Sequence, residues 1–151
     1  MKLRLLATTA SVLALLASCT TTGAAAGRDA VLQETASLMV SIGQHGEGLS
    51  TADIADLSAQ LDVHVAASPN DPYILKLAAQ SRRALSDYSQ DRAQRVALRH
   101  AALAELDRVI VLAKPSDPPR TVVINGMESE IDLKDLADLR ASLFHQVTTD
   151  R

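Results

Sequence analysis

Few side chains in this sequence stand in patterns that do chemistry. The four histidines are His45, His64, His100 and His145. None shares an H-x-x-x-H or H-E-x-x-H spacing, which would put two imidazoles on one helix face to hold a metal. His64 and His100 lie beside apolar helical positions and read as partly buried structural residues. Residues 43–48, GQHGEG, lack the Lys and Ser/Thr with which a phosphate loop grips a nucleotide, so they read as a flexible turn. No G-x-S-x-G nucleophile elbow occurs. Asp53 with Asp56, and Asp135 with Asp138, are carboxylates three apart, a spacing that shares one helix face. They read as solvated pairs. No catalytic, metal or cofactor site is expected from these residues. Arg92, Arg95 and Arg99 follow helical spacing and make one basic stripe, with Arg82 and Arg83 nearby. That stripe is either a surface for an anion or acidic partner, or a solvated face with local pairs such as Asp91 with Arg95.

The single cysteine, Cys19, has no partner for an internal disulfide. It closes an apolar run. Lys2 and Arg4 are followed by uncharged residues 5–17, which include Leu6, Val12, Leu13, Leu15 and Leu16. The run is shorter than the roughly 20 residues a bilayer span needs. A basic start and a short apolar run make a secretory signal peptide. Its end, Leu16-Ala17-Ser18-Cys19, resembles the lipobox of bacterial lipoproteins: Leu, two small residues, then Cys. The resemblance implies that residues 1–18 are cleaved, that diacylglycerol is attached to the Cys19 thiol, and that the new N-terminus is acylated. Two or more acyl chains anchor stably, at about 0.8 kcal/mol per buried methylene. Enterobacterial lipoproteins kept at the inner membrane carry Asp after the cysteine. Thr20 stands here, which points to the outer membrane, facing the periplasm. Residues 20–27, TTTGAAAG, read as a flexible tether with a reach of about 26 Å at roughly 3.3 Å per residue.

The domain beyond the tether must fold without much aromatic help. The chain of 151 residues is 47% apolar but only 2% aromatic. Its core must come from Leu, Val, Ile and Ala, the last being the strongest helix former. Without Lys2 and Arg4, the 15 basic residues fall to 13 against 18 acidic, a balance of −5. That excludes nucleic acid as a main partner and gives no pull onto an anionic membrane.

The pattern predicts helices over residues 28–42, from Ser50 to about 67, from Asp71 to about 88, over about 90–113, and over 132–147. Ser50 with Asp53 has the form of a capping box. Asp71 with Pro72 makes another helix start. Nothing decides whether the third and fourth helices break near Ser89. A repeat runs at an interval of 46 residues: Leu57, Val63, Val65, Ala67, Pro69, Asp71 and Pro72 recur as Leu103, Val109, Val111, Ala113, Pro115, Asp117 and Pro118. Helix pairs at such intervals mark helical arrays. PNDP followed by YILKLAAQSRRAL resembles the junction between tetratricopeptide repeats. Residues 121–131, TVVINGMESEI, read as a β-hairpin around Asn125-Gly126, the favoured type I′ pair. A two-residue turn pairs Ile124 with Met127, Val122 with Ser129 and Arg120 with Ile131 on one apolar face. Thr121, Val123, Glu128 and Glu130 fall on the other.

The expected fold is mainly α, a repeat-like helix-hairpin bundle of about five helices over residues 28–147, with one C-terminal β-hairpin and a tail at 148–151. The expected role is a non-catalytic interaction or accessory subunit of an envelope assembly, held to the membrane at Cys19. A protein partner would meet the outer hairpin face at Thr121 and Val123, where a ribbon has edges to offer, or the Arg92, Arg95, Arg99 stripe. The alternative is a small-ligand binding protein, or an accessory to an envelope hydrolase, using a groove between helices.

Overall fold

Side-chain caps write the helix starts of this chain. Ser50 accepts from the Asp53 amide while the Asp53 carboxylate takes the Ser50 amide at 2.9 Å, a complete capping box. Asp71 accepts from the amides of Tyr73 and Ile74. Asp91 accepts from Gln94 at 2.9 Å. The computed structural model describes residues 24–149. In order they form α1 (Ala24–His45), a 3-10 turn (Gly46–Gly48), α2 (Thr51–Ala67), α3 (Pro72–Tyr88), α4 (Arg92–Leu112), β1 (Arg120–Ile124), β2 (Met127–Ile131) and α5 (Leu136–Thr149). The fold is mainly helical with a C-terminal antiparallel hairpin, as the sequence pattern predicts. Helix α1 starts four residues before Arg28, because the alanines read as tether are strong helix formers. It also runs through Gly43, so the turn narrows to residues 46–50. Cys19 and residues 1–18, expected as a cleaved signal peptide, lie outside the described residues.

Helix α3 is the hub. The sequence pattern puts its apolar face at Ile74, Leu77, Ala78, Ser81, Leu85 and Tyr88, of which Tyr88 is only half-buried, but Leu75, Lys76, Ala79, Arg82 and Ser86 are buried as well. Helices surround it. Leu32 and Ala36 of α1 meet Tyr73, Ile74 and Leu77, and Val122 and Ile131 of the hairpin join them. Ile42, Ile54, Leu61 and Leu98 close on Ala78 and Leu85. Leu143 of α5 packs with Ala79, Ala102 and Leu106. Phe144, expected on the apolar face of α5, is half exposed, with the Arg140 guanidinium 6.0 Å from its ring centre.

Burying α3 on all sides buries its charges, and these are paired. Arg82 donates through Nε to Glu105 at 2.9 Å, through Nη1 to Ser58 at 2.7 Å and through Nη2 to Asp62 at 2.6 Å. One side chain thus ties α2, α3 and α4 together. Glu105 has its other oxygen, Oε2, without a hydrogen-bond partner among the described residues. Burial pushes its carboxyl above the ordinary value, against the opposing pull of Arg82.

The two P-x-D-P turns have different outcomes. Asp71 caps α3, whereas Asp117 closes a tight turn with Lys114 and β1 follows. The second turn continues into Pro119. A proline there has no amide to give to an Asp117 cap, and it forces Pro118 into an extended conformation. Equivalent repeat positions also part in burial: Val109 is buried and Val63 exposed. Among the described residues nothing in the packing is specific to tetratricopeptide repeats.

Candidate interaction surface

The hairpin is built by its turn. Asn125 has φ 53° and Gly126 φ 79°, both positive as type I′ requires. The register is Ile124 to Met127, Val123 to Glu128, Val122 to Ser129, Thr121 to Glu130 and Arg120 to Ile131. Val122 and Ile131 are buried against α1 and α3, while Thr121, Val123, Glu128 and Glu130 are exposed. In a hairpin with a two-residue loop, the turn-closing pair exchanges hydrogen bonds and the next pair does not. The N–H and C=O of Val123 therefore point outward along the β1 edge. There the Gln33 side chain of α1 meets both. It accepts from the Val123 amide at 2.8 Å and donates to the Val123 carbonyl. The side-chain amide acts as one residue of a neighbouring strand. On the opposite edge, the outward N–H and C=O of Glu128 and Glu130 make no hydrogen bond among the described residues. The two edges expected to be open are therefore unequal.

Ionic contacts fix this ribbon to the helices. Arg120 reaches Asp71 at 2.7 Å and Asp29, and its guanidinium lies 5.3 Å from the Tyr73 ring centre. Partial burial works against the guanidinium charge, but Asp71 and Asp29 outweigh it and hold its pKa above the ordinary value. Tyr73 donates its hydroxyl proton to the Pro118 carbonyl. After β2, Lys76 donates to the Asp132 carbonyl at 2.6 Å and its carboxylate at 3.2 Å. The Lys134 amide and Lys76 together hold the Asp132 carboxyl below its ordinary value. These contacts keep residues 132–134 out of α5, which starts at Leu136 rather than Asp132.

The arginine stripe is largely a brace. Arg99 donates to Ser86 at 3.2 Å and Asp87 at 3.2 Å, and Arg95 donates to the Ser89 carbonyl at 3.1 Å. Both hold the C-terminal end of α3, where cations are favoured. Arg92 is exposed. Arg82 is buried in its own network and is not part of this surface, and Arg83 donates to Ser142 at 3.3 Å.

The histidines do not converge. His64 is partly buried as expected, with Nδ1 3.0 Å from the Thr35 hydroxyl, and burial lowers its pKa while Glu34 opposes. His100 is exposed, contrary to expectation, because it faces away from α3. No group of three metal-binding side chains occurs among the described residues. An open groove of about 400 Å³ runs past Ser68, Asn70, Asp71, Tyr73 and Arg120. Its Asp71 and Arg120 are already paired with each other. Among the described residues, no helix is long and apolar enough to cross a membrane. Sequence reasoning missed Gln33, because nothing in the pattern of α1 distinguishes it from a solvated polar position. In comparison with known proteins, no family model, no curated protein and no solved structure matches this chain.

Proposed function

We propose that this chain is a lipid-anchored, periplasm-facing lipoprotein that serves as a non-catalytic accessory subunit of an envelope assembly. The anchor rests on Leu16-Ala17-Ser18-Cys19 after a basic and apolar leader, and the outer-membrane assignment on Thr20. The observation that carries the accessory role is the ribbon held against α1 and α3, with Gln33 occupying the outward groups of Val123 on one edge and both outward positions of the other edge open. A small-ligand role in the groove is less well supported, because its principal charges satisfy one another. Cys19→Ser tests the anchor. It is expected to leave an uncleaved, unlipidated precursor with no incorporation of labelled palmitate. Normal acyl labelling of the variant overturns the anchor. Affinity purification of the membrane-extracted protein tests the role, which fails if no envelope protein is retained.

A further inference from the structure

We propose that the β2 edge is a docking site for an extended basic segment of a partner protein, which adds as a third strand beside Glu128 and Glu130; this inference rests on the accessory role above. Three observations carry it. The outward N–H and C=O groups of Glu128 and Glu130 are a template for strand addition, a mode in which main-chain hydrogen bonds give the affinity. The β1 edge cannot serve in the same way at Val123, because Gln33 already occupies both of its outward groups. Thr121 is the one outward position left on β1, so a strand that pairs at two consecutive outward positions is directed to β2. Charge then selects the occupant. Glu128 and Glu130 are exposed on the same outer face of one short strand. Antiparallel pairing of β2 with a second copy, centred on Ser129, sets Glu128 opposite Glu130 twice. Like charges directly opposite destabilise a ladder, and opposite charges stabilise it. The edge thus rejects its own copy and favours a strand with Lys or Arg at alternate positions.

The test uses the full chain extracted in detergent and three capped hexapeptides: alternating Val-Lys, alternating Val-Glu, and Val-Lys with its backbone amides methylated. Binding is read by titration calorimetry and by amide hydrogen exchange at Glu128 and Glu130. The Val-Lys peptide is expected to bind and to slow exchange at both amides. The methylated and the Val-Glu peptides are expected to bind at least about tenfold more weakly. The double variant Glu128→Lys with Glu130→Lys should lose the Val-Lys peptide and accept Val-Glu, with its melting temperature confirming that it is folded. Equal binding of the methylated peptide means charge adhesion without strand addition and overturns the proposal, as does no protection at either amide. A dimer that dissociates in the double variant names a second copy as the occupant and also overturns it. If the double variant still retains the partners of the parent chain in affinity purification, the accessory role stands and the strand proposal alone falls.

Discussion

Asp71 does two things at once, and they can be separated. Its carboxylate caps α3 through Tyr73 and Ile74 and pairs with Arg120 at 2.7 Å, joining a helix start to the first residue of the hairpin. Asp71→Asn keeps a capping oxygen and loses the charge, and Asp71→Ala loses both. A lost cap costs about 1 kcal/mol. A buried carboxylate partner removed beneath a guanidinium adds about 1–2 kcal/mol here, since Arg120 keeps Asp29. Urea unfolding should therefore rank parent, Asn and Ala in falling stability, and Asn equal to Ala would mean that the cap contributes nothing. Glu105 behaves differently. Its folded-state pKa lies above the ordinary carboxyl value, so its stabilising contribution is present below about pH 4.5 and is lost as pH rises through the folded-state value. Glu105→Gln does not titrate. The stability of that variant relative to the parent should rise from pH 4.5 to pH 7.5, and a flat difference would show that Glu105 does not titrate differently on folding. None of these partnerships is legible in sequence: Asp71 signals a cap, but Arg120 lies 49 residues away.

Elements are easier to read where their signals are local. The hairpin follows from Asn125-Gly126 and strict alternation, so its register is legible before any packing is known. The caps Ser50 and Asp71 follow from residue type and spacing. The break between α3 and α4 is hidden because neither Gly nor Pro marks it. It is made by Asp91 capping α4 and by buried Ser89, whose hydroxyl donates to Gln94 at 2.7 Å. The difference between the two edges of the ribbon is illegible in sequence, since Gln33 and Val123 are 90 residues apart. The turn itself offers a direct check. Gly126 at φ 79° excludes a β-branched side chain without strain. Gly126→Val should lower stability by about 1–2 kcal/mol, read as a shifted urea midpoint, whereas Asn125→Gly, equally able to take positive φ, should shift it little. Equal midpoints for the Val variant and the parent would be inconsistent with a type I′ turn that supports the fold.

At the scale of the molecule, the start of α1 bounds the reach of the anchor proposed at Cys19. Helix begins at Ala24, so four residues, 20–23, lie between Cys19 and the helix, and the five Cα-to-Cα steps from Cys19 to Ala24 reach at most about 17 Å. Gln33, which meets the β1 edge at Val123, lies nine residues further along α1, about 14 Å at 1.5 Å per residue. On the lipoprotein reading, the ribbon therefore works within a few nanometres of the bilayer and meets partners held in the same membrane at high effective concentration. Effective concentration falls roughly as the −3/2 power of tether length once the tether spans the gap. Inserting 20 Gly/Ser residues between Thr22 and Gly23 lengthens the tether about fivefold and should cut crosslinking to a membrane-held partner about tenfold. The fold should not change, because the insertion precedes α1, and lipidation should not change, because the residues up to Cys19 are intact. A soluble periplasmic partner encounters the ribbon by diffusion and is indifferent to the tether. Crosslinking yield for parent and insertion variant, at equal amounts of lipidated protein, decides between them. A yield unchanged by the insertion would place the partner in solution, and proximity to the membrane would then have no part in how the ribbon finds it.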